Sequence, residues 1–220
     1  MRAKYLGLDL PSPIIVSSSP YTSNVKSVEQ CAASGAGAVV LKSIFEEQIL
    51  HHAAALDTVS DSAYGDAEVY LQRYLGEDYK AGFLRLVQEA RSKTELPVIA
   101  SINCVVDKGD WIEYATAMAD AGASALELNI FIQSTDIHAQ ARELELNYAE
   151  IVGRVAGAVK IPVSVKLPMR LTNVFALSSA LLGHGARGVV FFNRFFEPDV
   201  DVELSLIHIS EPTRRRGISY

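Results

Sequence analysis

One phrase recurs three times in this chain, and it narrows the choice of folds more than any other feature. Ala33-Ser34-Gly35-Ala36-Gly37-Ala38-Val39-Val40-Leu41-Lys42, Asp120-Ala121-Gly122-Ala123-Ser124-Ala125-Leu126-Glu127-Leu128-Asn129 and Gly183-His184-Gly185-Ala186-Arg187-Gly188-Val189-Val190-Phe191-Phe192-Asn193 share one plan. Each reads as a helix end, a glycine–alanine turn, a short apolar strand and a terminal polar residue. Glycine supplies the left-handed exit from a helix, and a short apolar run beyond it suits a buried parallel strand. Regular alternation of helix and strand predicts an α/β fold of the TIM (β/α)8 barrel type. Barrel enzymes place their chemistry at the carboxyl ends of the strands, so Lys42, Asn103, Asn129, Lys166 and Asn193 read as a ring around one mouth.

The pattern predicts six barrel strands: Ile14 to Ser18, Ala38 to Leu41, Pro97 to Ser101, Ala125 to Asn129, Val163 to Lys166 and Gly188 to Phe192. Helices are expected over Val25 to Ser34, Asp78 to Lys93, Asp110 to Ala121, Asn147 to Val159 and Thr172 to Leu182. Leu6 to Leu10 alternates and suits a small strand or hairpin capping the barrel bottom. Residues 43 to 77 form a long connection, expected to be a lid or pocket wall. Six βα units are about three quarters of a complete barrel, so the fold expected is an incomplete one with two open edges.

Residues 204 to 220 break the rhythm. Leu204-Ser205-Leu206-Ile207-His208-Ile209-Ser210-Glu211-Pro212-Thr213-Arg214 has neither helical nor strand periodicity. It resembles the translated read-through of a sequencing-library adapter, and the expected division is a partial barrel domain over 1–203 followed by a non-native tail over 204–220.

Bulk properties exclude several classes. The chain has 220 residues, is 49% hydrophobic and carries a net charge of −6. Without a basic stripe it has no footprint for nucleic acid, whose phosphates need clustered Lys and Arg. No apolar run reaches membrane-spanning length, and the opening residues lack a signal-peptide core. Cys31 and Cys104 are too few for a disulfide framework, which points to a reducing, cytoplasmic setting. The remaining partner class is a small-molecule substrate, with a homodimer one assembly open to the full-length protein.

Two lysines over an apolar interior are costly unless something anionic faces them. They can act as fixed cations for charge developing on a cofactor, or one can serve as a Schiff-base amine; equally, Lys42 can pair with Glu46 and Lys166 with Glu127. Other signals are weaker. His51-His52 lacks a third metal ligand, Gly35-Ala36-Gly37 precedes a strand instead of opening a helix, His184 sits at a helix C-terminus, and Trp111 suits core packing.

Ser12-Pro13-Ile14-Ile15-Val16-Ser17-Ser18, Val40-Leu41-Lys42-Ser43, Glu127-Leu128-Asn129, Val165-Lys166-Leu167-Pro168 and the strand ending in Asn193 resemble, in order, the flavin-site segments of class 1, cytosolic dihydroorotate dehydrogenases. The resemblance implies FMN as cofactor and removal of two hydrogens from dihydroorotate during pyrimidine biosynthesis. It implies cofactor-binding roles for Ser17, Ser18, Lys42, Asn103, Asn129 and Lys166, with Lys166 stabilising negative charge near flavin N1. Asn129 and Asn193 would hold the substrate.

Two departures fall on the substrate side. The family's proton-accepting Cys or Ser corresponds here to Ile132, which cannot accept a proton, leaving Ser134 or Thr135 as candidate catalytic groups and Asp136 as a stronger base nearby. The family's substrate loop after the second strand is not recognisable. Its FMN phosphate loops follow strands seven and eight, which the six-strand pattern does not reach. The leading expectation is therefore an FMN-dependent oxidoreductase acting on a dihydroorotate-like substrate, inactive as this fragment. Alternatives are a Schiff-base lyase or aldolase using Lys166, and a non-catalytic degenerate barrel.

Overall fold

In the strands of this chain, odd and even positions go to different cores. Ala38, Val40, Ile99 and Ala125 form one buried cluster, whereas Val39, Leu41, Val98, Ala100, Leu126, Leu128, Val163 and Val165 belong to another that includes helical residues. Two-fold alternation with both faces buried is the mark of a parallel sheet covered on both sides. The computed structural model describes residues 1–45, 80–103, 110–130, 132, 138–193, 197–201 and 206–210.

The elements are β1 (Ala3–Tyr5), β2 (Leu8–Leu10), β3 (Ile15–Val16), α1 (Val25–Ala33), β4 (Ala38–Val40) and β5 (Ile44–Phe45). A helix over 80–93, α2, follows. Then come β6 (Val98–Asn103), α3 (Asp110–Asp120), β7 (Ala125–Asn129), α4 (Ala141–Ala158), β8 (Val163–Leu167), α5 (Val174–Gly183), β9 (Gly188–Phe191), β10 (Glu197–Asp201) and β11 (Leu206–Ser210).

The main sheet runs β3-β4-β6-β7-β8-β9 in chain order, all neighbours parallel, with β5 also pairing β6. A doubly wound sheet reverses its strand order at a switch point; a barrel does not. The unbroken order and the curled sheet make this an incomplete (β/α) barrel, as the repeat predicts. Gly35, Gly122 and Gly185, the first or second glycines of the three repeated phrases, all have positive φ, at 83°, 96° and 106°. Each phrase thus makes the same left-handed exit before its strand.

The amino-terminal hairpin closes the barrel bottom. Leu6 and Gly7 turn it with φ of 55° and 81°, the two-residue geometry whose twist suits antiparallel strands. Leu6 and Leu10 then bury against Ala38, Val40, Ile99 and Ala125. Outside the sheet, Val87, Ala90, Trp111, Ala115, Met118, Val152 and Val155 cover the other face, so Trp111 is a core residue as expected.

Three expectations need correction. Helix α4 begins at Ala141, not Asn147, because Ala141 to Asn147 is mostly solvent-facing and carries good helix formers without apolar periodicity. Strand β5 occupies the start of the stretch read as a long connection, extending the wall beside β6. Within the stretch read as lacking strand periodicity, Leu206–Ser210 forms β11, antiparallel to β10, in a sheet separate from the barrel. Sheet edge β9 is half-exposed, and Phe191 and Phe192 are 54% and 43% accessible.

Candidate functional site

The inner wall changes character along its height. One row of parallel partners is Val40, Ile99 and Ala125; the next is Ser101, Glu127, Ser164 and Gly188; above these stand Asn129, Lys166 and Val190. Apolar residues thus form the floor, and polar ones accumulate toward the carboxyl ends of the strands.

Lys166 and Glu127 meet diagonally across β7 and β8, with Nζ 3.7 Å from Oε1. Both side chains are withdrawn from water, at 14% and 6% accessible. Burial pushes the Glu127 carboxyl above its ordinary pKa, and the neighbouring Lys166 ammonium only partly opposes this. Oε1 has no hydrogen-bond partner. From the hairpin below, the Tyr5 phenol is raised by burial, lowered by a hydrogen bond with Ser164 and raised again by the charge of Glu127.

Asn129, 7% accessible, accepts a 2.7 Å hydrogen bond from the Asn193 side-chain amide. The Asn193 backbone N–H donates to Leu167 at 2.8 Å, which fixes the segment after β9 over the end of β8. Asn129, Lys166 and Asn193 therefore share one part of the rim, as the repeat predicts.

On the β3–β4 side a register slip reorganises the wall. Val40 pairs with Ile99 but Ile44 pairs with Ile102, so residues 41–43 oppose only residues 100–101. Such a bulge re-aims side chains. Continued alternation from Val40 would set Lys42 opposite Ser101; after the slip, the buried Ser43 takes that place, its Oγ 2.7 Å from the Ser101 Oγ. Ser18 Oγ lies 3.1 Å from Ser43 Oγ and accepts the Ser43 N–H at 2.9 Å. Lys42 is half-buried, and its backbone N–H donates to Thr22. Ser17 is exposed, and Asn103 stands half-buried at the end of β6.

Ile132, half-buried, is held by its backbone N–H donating to the Tyr148 hydroxyl of α4 at 3.1 Å. Ser134, Thr135 and Asp136 lie outside the described residues, as do Glu46, His51, His52 and Cys104. A cavity of about 660 Å³ opens between α4 and the segment after β8, lined by Ile132, Leu144, Tyr148, Met169 and Leu171. It borders the rim without including Asn129, Lys166 or Asn193. Among the described residues there is no His, Cys, Asp or Glu group able to hold a metal ion, and no helix is long and apolar enough to cross a membrane.

Four residues escaped the list of candidates: Ser43, Ser101, Tyr148 and Tyr5. Ser101 had a signal, a lone polar residue inside an otherwise apolar strand. Ser43 had none, since only the bulge turns it inward.

Consecutive parallel strands with intervening helices and polar side chains gathered at the strand ends define the class: a (β/α)-barrel protein, with six strands and five connecting helices among the described residues. The relatives are more particular. The chain is 29% identical over 204 residues to the dihydroorotate dehydrogenase B (NAD(+)) catalytic subunit of Methanocella arvoryzae, covering 89% of this chain and 62% of that protein. Its counterpart in Methanosarcina acetivorans is 28% identical, with 90% and 62% covered. A protein of Aeropyrum pernix, provisionally named dihydroorotate dehydrogenase A (fumarate), is 34% identical over 123 residues, 54% of this chain and 38% of that one. The chain thus spans less than two thirds of these relatives' length. No family model matches it. Among solved structures, a protein of Coccidioides immitis provisionally assigned to the dihydrodipicolinate synthase family aligns with a TM-score of 0.48 and 12% identity, covering 82% of this chain and 52% of that one.

Proposed function

We propose that this chain carries the first six βα units of an FMN-dependent oxidoreductase of the dihydroorotate dehydrogenase type, which removes two hydrogens from a dihydroorotate-like CH–CH bond. The observation that carries the reading is the grouping of Asn129, Lys166 and Asn193 on adjacent strand ends. The relatives' names give this grouping its chemical direction.

The residues suit an isoalloxazine ring. Its pyrimidine end is rich in acceptors, and the Lys166 ammonium, the Asn129 amide and the Ser18 hydroxyl offer donors around the mouth. Glu127, with one oxygen lacking a hydrogen-bond partner, lies under the ammonium and holds a cation where the ring's negative charge would gather. When bound, FMN supplies the acceptor for a hydride, and a base must take the second hydrogen as a proton. Asn193 and Asn129, locked by their mutual hydrogen bond, orient a substrate carboxylate or amide. The aliphatic side chain of Ile132, whose backbone N–H is held by Tyr148, cannot accept a proton, so the base belongs elsewhere than that position. The ion pair with Glu127 favours Lys166 as a fixed charge over an imine-forming amine.

FMN titration of a chain completed through strands seven and eight tests the reading. Saturable quenching of FMN fluorescence, lost in Lys166→Ala with the far-ultraviolet circular dichroism unchanged, is the expected result. Absence of any saturable quenching by a chain completed through strands seven and eight would overturn it.

A further inference from the structure

We propose that Glu127 is a positioning residue that anchors the Lys166 ammonium from beneath and leaves its N–H donors free for a ligand at the barrel mouth. This rests on the flavin reading only for the identity of the ligand. Glu127 sits one row deeper than Lys166: its register partner is Ser164, whereas that of Lys166 is Asn129. At 3.7 Å the two are in Coulombic contact but beyond hydrogen-bond distance. A closed salt bridge would spend the ammonium's donors on the carboxylate. This open one leaves them available and still fixes where the charge lies.

The surroundings of Glu127 argue that the carboxylate serves Lys166. Its row otherwise holds Ser101, Ser164 and Gly188, small residues that would pack as well against an apolar side chain. Burying a carboxylate there costs free energy, and one of its oxygens lacks any hydrogen bond to offset it. Tyr5 faces the same spot from the hairpin but is a neutral phenol, so among the described residues Lys166 is the only cation paired with Glu127. Burial raises the carboxyl's pKa, in keeping with a site where the ammonium compensates the charge incompletely.

Amine labelling of the full chain separates this role from packing. At about pH 9, where an ordinary carboxyl is ionised and a fraction of amines is neutral, acetic anhydride labelling is followed by peptide mass spectrometry, with exposed Lys4 as internal reference. An amine anchored beneath the mouth and only 14% accessible meets the reagent rarely, so Glu127→Gln, which releases it, should label Lys166 about tenfold faster than the parent. Glu127→Asp, which keeps the charge but withdraws it by one methylene, should fall between. FMN affinity should drop about tenfold in Glu127→Gln, the loss of roughly one fixed charge interaction. Equal Lys166 labelling in parent and Glu127→Gln overturns the proposal, as does unchanged FMN affinity when the parent binds FMN. If Glu127→Gln does not fold, Glu127→Asp decides by the same readout. Should a chain completed through strands seven and eight fail to bind FMN while labelling still responds, the flavin reading falls and the anchoring of Lys166 stands.

Discussion

Gly37→Ala should damage the barrel through its backbone, and the size of the effect follows from the geometry. A Cβ at Gly37 would lie 1.8 Å from the Ser12 carbonyl oxygen, 2.8 Å from its carbon and 3.3 Å from the Ile14 oxygen. Real Cβ atoms keep at least 3.0 Å, so the chain before β3 must retreat by about 1.2 Å. No rotamer relieves this, since every obstacle is main chain. The retreat pulls on the 2.7 Å hydrogen bond from Gly37 N–H to Ile14 and on the pairing of Ile15 with Ala38. Overpacking costs about 1–3 kcal/mol and a lost hydrogen bond about 0.5–1.5, which together give roughly 2–4 kcal/mol. Two controls isolate the cause. Gly35→Ala meets no atom within 4 Å but must adopt φ of 83°, a cost of about 1–2 kcal/mol. Gly82→Ala lies in helix α2 with open space and should gain about 0.5–1 kcal/mol. Urea unfolding with a shared m-value should rank the midpoints Gly82→Ala, parent, Gly35→Ala, Gly37→Ala from highest to lowest. A Gly37→Ala midpoint equal to or above that of Gly35→Ala refutes the steric argument.

Three further outcomes follow from other contacts. Lys166→Met strands the Glu127 carboxylate and should cost about 3–5 kcal/mol near neutral pH. Burial already raises the Glu127 pKa in the folded state, so folded protein holds that proton more tightly and stability falls as pH rises from the ordinary carboxyl pKa through the folded one. Removing the ammonium raises it further; the penalty should shrink toward about pH 4, and urea midpoints showing a pH-independent penalty would contradict the pairing. Tyr148→Phe takes away the acceptor of the Ile132 N–H, costing about 1–2 kcal/mol, and amide exchange at Ile132 should accelerate if that hydrogen bond holds the segment. Ser43→Ala removes the hydroxyl that joins Ser18 to Ser101 and should lower stability by about 1–3 kcal/mol in thermal unfolding, whereas Ser17→Ala, at an exposed position, should leave it within about 0.5.

What the chain discloses on reading is its periodicity. Gly35, Gly122 and Gly185 punctuate it, and the strands behind them, β4, β7 and β9, begin where the apolar runs begin. The pairing of Lys166 with Glu127 was one of the readings the residues left open, and the register of β7 with β8 decides it by setting Glu127 one row below Lys166 on the neighbouring strand. Simple alternation does not anticipate that Ser43, and not Lys42, stands opposite Ser101. A bulge is a choice made by the pairing of two strands, and nothing in Leu41-Lys42-Ser43 itself records it. The early start of α4 was hidden for a related reason: residues facing water carry propensity but no apolar pattern. Strand β11 was missed because Leu206-Ile207-His208-Ile209-Ser210 is too short for alternation to register, and its partner β10 supplies the pairing.

The hairpin that stops the barrel floor imposes an order on biosynthesis. Leu6 and Leu10 leave the ribosome well before Ile99 and Ala125, against which they settle. At roughly 5–20 residues per second the plug waits on the order of ten seconds with its leucines in water. A nascent chain stalled before Ala125 should therefore offer that hairpin to chaperones, and one released beyond it should not.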